Sequence, residues 1–126
     1  MKLQDIYALA VEAGIAADPR GKEAVEKDLS RAKKKWDKAE EKEREFFDRE
    51  TLTNPYSDTR ILYGDGDTEV TKILAGIDIE IGEILLADRM NSKGDSIDLV
   101  LAHHPEGHAL AGLHDVMHIQ EGILAE

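Results

Sequence analysis

The sequence predicts an α/β fold: a small, mostly parallel sheet with a β-α-β crossover, preceded by a helical N-terminal extension. Residues 1–58 place their apolar side chains at helical spacing, which predicts the extension. In residues 59–126, two apolar stretches flank a segment with helical spacing, which is typical of two parallel strands joined by a right-handed crossover helix. We therefore divide the chain into an extension, 1–58, and a β-α-β unit, 59–126, that belongs to one larger domain.

The extension is predicted to contain two helices. The first is short and amphipathic and is expected to end near Gly14. The second is long and charged over residues 19–47, because Asp18-Pro19 combines an N-cap residue with proline at the first helical position. Trp36 lies in its apolar seam and is expected to anchor the packing. Two interpretations of helix 19–47 stay open: an arm that binds a protein partner, or a lid packed on the chain's own sheet.

The β-α-β unit is predicted from alternating apolar stretches and turn signals. Gly94 ends its helix, and the last strand is so uniformly apolar that we expect both of its faces to be covered. The predicted elements, in order, are a strand over 60–63, a hairpin turn over 64–67, a strand over 70–79, a helix over 80–90, a strand over 97–102 and a helix over 109–124.

This topology predicts where a site would lie. In open α/β sheets, binding sites lie beyond the carboxyl ends of the strands. Asp78 ends the second predicted strand, with Glu80 close behind it, and the last strand ends at His103 and His104. The sequence therefore places carboxylates and imidazoles at one edge of one sheet.

Composition and charge exclude several classes of protein. The chain has 126 residues, no cysteine and a net charge of −11, which excludes thiolate metal sites and argues against nucleic-acid and membrane-surface binding. No segment reaches transmembrane length, so we expect a soluble, cytoplasmic protein. Residues 1–58 carry a net charge of −2 and residues 59–126 carry −9, which favours cation binding in the second part.

All five histidines lie in one short segment, residues 103–118. His114 and His118 are four residues apart on a predicted helix, so their rings share a face and can bind one ion, with Glu121 nearby. The alternative is that these two are exposed helix residues. We predict a divalent metal site, with zinc, iron, manganese or nickel as the ion. The predicted ligands are His103, His104, His114 and His118, and the predicted supporting or further ligands are Asp78, Glu106 and Glu121.

The run Ile-Asp-Leu-Val-Leu-Ala-His-His-Pro, residues 97–105, resembles the apolar-strand–His-His-Pro signature of the NGG-interacting-factor-three-like proteins, which are also called dinuclear metal centre proteins or GTP cyclohydrolase I type 2. The resemblance covers roughly residues 60–126. It implies two metal ions, with His103 and His104 among the ligands, and a homo-oligomer. The family's later ligands, an aspartate in a His-Thr-x-x-Asp segment and a His-x-x-x-Glu pair, have no counterpart in this sequence.

Three explanations of the missing ligands stay open. The chain is the N-terminal portion of a longer protein, or a second chain supplies the ligands, or His114 and His118 replace them. Three functions stay open. The first is a metal-dependent hydrolase that uses a metal-bound water, and the second is a non-catalytic metal-binding or regulatory module that acts through helix 19–47. The third is a structural fragment with no independent activity.

Overall fold

The computed structural model describes residues 1–124, so the last two residues of the predicted β-α-β unit lie outside the described part. The fold is α/β, with a helical segment before a small parallel sheet, as the sequence predicts. The elements are α1 (Leu3–Ala17), α2 (Lys22–Lys38), α3 (Glu41–Glu45), a 3-10 turn (Arg49–Leu52), β1 (Ile73–Gly76), α4 (Ile81–Ser92), β2 (Leu99–Ala102), α5 (Gly107–Ala111) and α6 (Leu113–Leu124).

The predicted end of the first helix near Gly14 is wrong, because α1 continues to Ala17. Gly14 serves packing rather than termination. The ring of Tyr56 approaches so closely that a Cβ at position 14 would lie 2.9 Å from Tyr56 Cε2. A glycine in a helix interior costs about 1 kcal/mol relative to alanine, and here it admits an aromatic ring against the helix backbone.

The predicted continuous helix over 19–47 is also wrong. Helix α2 ends at Lys38, and Ala39 has an extended backbone with φ −67° and ψ 135°, after which α3 begins a new helix. The break turns the chain back, so that Phe47 packs edge-on against Trp36 with ring centroids 5.2 Å apart. Arg44 lies over the same indole ring, 5.1 Å from its centroid, and this cation–π contact also favours the break.

A polar network joins the extension to the segment that follows it. The Arg60 side chain is only 2% exposed, and its guanidinium pairs with Glu50 at 2.6 Å and with Asp48 at 2.7 Å. The Tyr7 hydroxyl donates to Glu50 and accepts from the amide of Asn54, which is itself buried. Burial and the hydrogen bond to Glu50 raise the pKa of Tyr7 to about 12. The network stabilises the turn-rich connection through satisfied, charged hydrogen bonds.

A second network holds the start of α2. Asp18 accepts three hydrogen bonds from Arg20, which also pairs with Asp28 at 2.7 Å. The Asp18 side chain is 1% exposed, and it accepts a further hydrogen bond from the Tyr56 hydroxyl. The hydrogen bonds from Arg20 lower the pKa of Asp18 to about 2, from an ordinary value of 3.8.

We expect the lowered pKa of Asp18 to make the free energy of unfolding sensitive to acid. Because its pKa is lower in the folded chain, its contribution is present above about pH 4 and is lost as the pH falls through 2. We expect a loss of about 2 kcal/mol in the free energy of unfolding over that window. Urea unfolding followed by Trp36 fluorescence measures it. Asp18→Asn is the control and should show a flatter profile, so an identical acid dependence in both proteins would refute the assignment.

The predicted strand over 60–63 and the hairpin turn after it do not form in the described structure. Arg60 is instead committed to its ion pairs, and Tyr63 is 97% exposed. Residues 64–67 do turn, but the segment they lead into pairs with the N-terminus, through an antiparallel bridge between Lys2 and Glu69. The first residues of the chain thus take the place of the predicted partner strand.

The β-α-β prediction is confirmed with shorter strands. Strands β1 and β2 pair in parallel, with Ile73 opposite Leu99 and Gly76 opposite Ala102. Helix α4 makes the crossover and begins with a capping box in which Glu80 and Glu83 each accept a backbone hydrogen bond. Gly94, with φ +101°, follows its end as predicted.

The predicted cover on both faces of the last strand is absent from the described structure. Leu101 of β2 is 47% exposed and Ile73 of β1 is 45% exposed, since no described element packs over them closely. Helix α4 also exposes a row of large apolar side chains: Ile81, Ile84, Leu85 and Leu86. The accessible surface is 9348 Å². A compact monomer of this mass exposes about 6,700 Å².

The predicted C-terminal helix over 109–124 is two helices, because the chain breaks at Gly112 between α5 and α6. The Ser57 hydroxyl donates to the Gly112 carbonyl at 2.6 Å, which fastens this break to the end of the extension. Among residues 1–124, no helix is long and apolar enough to cross a membrane.

Candidate metal centre

The site is built at the edge of the sheet where both parallel strands end. Beyond β2, the backbone N–H of His103 donates to Gly76 at 2.9 Å, and that of His104 donates to Ile77 at 2.8 Å. These bonds continue the strand pairing into the histidine pair. The two histidines therefore have a fixed backbone beside the end of β1.

The turn after β1 brings Asp78 to the same place. Ile79 folds back over Gly76, and a Cβ on Gly76 would lie 2.8 Å from Ile79 Cδ1. A side chain at position 76 would displace the terminal methyl of Ile79. The turn sets the position of Asp78, one of the two residues between Gly76 and Ile79, and so couples the end of β1 to the site.

Asp78 and His104 are in direct contact. His104 Nδ1 and Asp78 Oδ1 are 2.7 Å apart, with both side chains more than half exposed. A carboxylate at this distance favours the tautomer that carries its proton on Nδ1, so that Nε2 keeps its lone pair for a ligand. This is the arrangement in which a carboxylate orients a metal-binding imidazole from behind.

The ring of His103 lies beside that of His104. The two ring centroids are 5.2 Å apart, and the planes are tilted by 32°. Two imidazoles that bind one tetrahedral zinc ion through bonds of about 2.1 Å hold their centroids about 5 Å apart. The centroid separation of the two rings is close to that value. His103 makes no hydrogen bond through its ring to any residue that the structure describes.

The other predicted ligands lie elsewhere. His118 Nδ1 contacts Glu121 at 2.9 Å on the exposed side of α6, and His114 Nδ1 lies 3.2 Å from the carbonyl of Ala111. Glu106 is partly buried at the N-cap of α5. Within the described residues, no three histidine, aspartate or glutamate side chains are arranged to hold one ion. The groups available for a metal at the sheet edge are thus the imidazoles of His103 and His104, with Asp78 to orient His104.

Glu80 has a structural role that its position did not reveal. It follows the end of β1 closely in sequence, but its side chain accepts a hydrogen bond from the backbone of α4 in the capping box. A capping box is recognisable in sequence as two acidic residues three positions apart before an apolar run, and Glu80 and Glu83 have that spacing. Asp78 is the carboxylate that the turn directs to the histidines.

Comparisons with known proteins do not identify a relative of this chain. No protein-family model matches the chain, and neither a curated protein nor a solved structure matches it. The resemblance of residues 97–105 to the NGG-interacting-factor-three-like proteins therefore stays a prediction. Metal binding by the histidines likewise stays a prediction.

Proposed function

We propose that this chain binds a divalent metal ion at the carboxyl edge of its sheet, through the His-His pair whose surroundings resemble those of the NGG-interacting-factor-three-like proteins. His103 and His104 are the proposed ligands, and Asp78 is a positioning residue. The observation that carries the proposal is the 2.7 Å contact between Asp78 and His104, made where two parallel strands end. Zinc, iron, manganese and nickel suit such nitrogen and oxygen donors.

The proposed activity is metal-dependent hydrolysis. A divalent ion held by His103 and His104 would supply Lewis-acid chemistry, lowering the pKa of a bound water and polarising a substrate oxygen. The residues of the chain bind and orient: with the proton of His104 on Nδ1, that N–H donates a hydrogen bond to Asp78 Oδ1, which holds the imidazole at a fixed angle. The net charge of −9 on residues 59–126 raises the local concentration of cations around the edge.

Zinc stoichiometry tests the proposal. Equilibrium dialysis of the untagged chain against buffered zinc, followed by elemental analysis, should give about one equivalent. Less than about a tenth of an equivalent would contradict the proposal. Bound metal without turnover of nucleotides or phosphoesters would favour the second candidate, a non-catalytic metal-binding or regulatory module.

Asp78→Asn gives a graded prediction at the same site. The amide keeps the size of the carboxylate but loses the charge that favours the Nδ1 proton, so we expect zinc affinity to fall about 10- to 100-fold. Competition with a colorimetric chelator measures the change. Asp88→Asn, an exposed carboxylate on α4 away from the strand ends, is the matched control and should leave affinity unchanged. Equal losses in both variants would indicate a general charge effect.

We also propose a homo-oligomer. The chain exposes about 2,600 Å² more surface than a compact monomer of its mass, and large apolar side chains of the sheet and α4 contribute to it. Obligate homodimers bury total areas of about 2,000–5,000 Å², so a second copy is large enough to cover this surface. We also propose the partner-binding role that was predicted for helix 19–47, the segment that folds as α2 and α3. Helix α2 packs on α1 and on the 3-10 turn.

A further inference from the structure

A cavity of about 790 Å³ lies between the extension and α5, away from the strand-end histidines. Its walls come from α2, α3, the segment after α3 and the break at Gly112. Its apolar lining is Ala32, Ala39, Phe46, Phe47 and Ala111. The volume lies in the range of small-molecule sites, which are largely apolar with a few polar groups.

The cationic side chains that line this cavity differ in whether they already form ion pairs. Arg60 lies at the cavity, but its guanidinium is committed to Asp48, Glu50 and the Ser57 carbonyl. Lys35 and Lys38 also line the cavity, and neither makes an ion pair within residues 1–124. The cavity therefore offers two free ammonium groups in a chain whose net charge is −11.

The acidic groups of the lining are already engaged. Asp48 pairs with Arg60, and Glu43 accepts a backbone hydrogen bond from Glu40 in the capping box of α3. Arg60 and the two carboxylates that it pairs with, Asp48 and Glu50, carry a net charge of −1 together, so they offer nothing to an anion. Lys35 and Lys38 are thus the groups of the lining that can pair with one.

Phe46 is the exposed aromatic side chain of the cavity lining. It lines the cavity, yet it is 86% exposed, whereas its neighbour Phe47 packs against Trp36. Phe46 therefore offers an uncovered aromatic ring in the same cavity lining as Lys35 and Lys38. Aromatic faces and edges favour a flat ring as the occupant.

We propose that this cavity binds a small aromatic anion, with its ring against Phe46 and its charged group at Lys35 and Lys38. The proposal does not depend on the metal site. Naphthalene-1-sulfonate is a suitable test ligand, because it carries both features and is not a phosphoester. Naphthalene-1-sulfonamide is its neutral counterpart, and inorganic sulfate carries the charge without the ring.

Binding is measured by ¹H–¹⁵N NMR titration, which maps the site and gives the affinity together. We expect the sulfonate to shift the amides of Thr51 and Gly112, and the sulfonamide and sulfate to bind at least about tenfold more weakly. Lys35→Gln/Lys38→Gln should weaken sulfonate binding about tenfold, to the level of the sulfonamide. Phe46→Ala, an exposed position, should weaken both naphthalene ligands.

Lys27→Gln/Lys34→Gln is the matched control, since it removes the same charge from α2 outside the cavity lining. It should leave the affinity unchanged. The proposal is overturned if the sulfonate does not bind up to its solubility limit, if the sulfonamide binds as tightly, or if the control pair weakens binding equally. Shifts confined to the exposed face of α4 would also overturn it.

Discussion

Replacing Arg60 with methionine is expected to lower the free energy of unfolding by about 3 kcal/mol. The guanidinium is 2% exposed and holds Asp48 and Glu50, so its loss leaves two carboxylates side by side without a cation. Those carboxylates are 35% and 42% exposed, and partial contact with water keeps the effect at the lower end for a broken buried pair. Urea unfolding by circular dichroism at pH 7 measures the change.

Arg31→Met is the matched control for this prediction. Arg31 pairs with Asp28 at 3.1 Å, but its side chain is 67% exposed, so we expect a change below about 0.5 kcal/mol. The network around Arg60 also includes Tyr7 and Asn54, which join α1 to the connection after the 3-10 turn. Equal effects of the two substitutions would show that the Arg60 network does not hold the extension together.

The double variant His103→Ala/His104→Ala is expected to lose zinc binding. Both imidazoles are the proposed ligands, and the variant should hold less than about a tenth of an equivalent under conditions that saturate the unaltered chain. The fold should survive, because both side chains are exposed and the backbone hydrogen bonds of residues 103 and 104 do not depend on them. Elemental analysis after equilibrium dialysis measures the loss.

His108→Ala is the control for the double variant. It shows whether zinc binding depends on His103 and His104 in particular or on the loss of any histidine. His108 is exposed on α5 and lines the cavity at Lys35 and Lys38 rather than the sheet edge. We expect zinc binding to be unchanged in this variant. Retention of a full equivalent by the double variant would instead place the ion elsewhere, with His114 and His118 as the next pair to replace.

The β-α-β unit could be predicted because its signals are local. Apolar runs of strand length, a helical repeat between them and Gly94 after the helix are all visible in sequence. The parallel order then placed Asp78 and the two histidines at one edge without knowledge of side-chain contacts. Element ends were less accurate, because β1 and β2 extend only as far as their mutual pairing.

The extension was predicted less well because tertiary contacts override its local pattern. The helical repeat continues past Lys38, yet the chain breaks at Ala39, which places Phe47 and Arg44 on Trp36. The expected strand at 60–63 fails for a similar reason, since Arg60 pairs with carboxylates from an earlier turn. Partners this distant in sequence leave no periodic signal.

The cavity between the extension and α5 could not be predicted either. The run Lys33-Lys34-Lys35 reads as a solvated face, and only the fold shows that Lys35 joins Lys38 and Phe46 around one space. The Asp78–His104 contact is different, because strand-end topology predicted the neighbourhood and the structure supplied the distance. The strand topology predicts which residues lie at the same edge of the sheet. Which side chains line a cavity depends on how the helices pack.

The protonation and metal binding of individual imidazole nitrogens test the proposed metal centre most directly. Long-range ¹H–¹⁵N NMR correlations of the five histidines, recorded as zinc is added, report each ring nitrogen separately. We expect His104 to carry its proton on Nδ1, beside Asp78, and zinc to shift His104 Nε2 and a ring nitrogen of His103 first. A proton on Nε2 of His104, or zinc shifts confined to His108, His114 and His118, would contradict a metal site at the sheet edge.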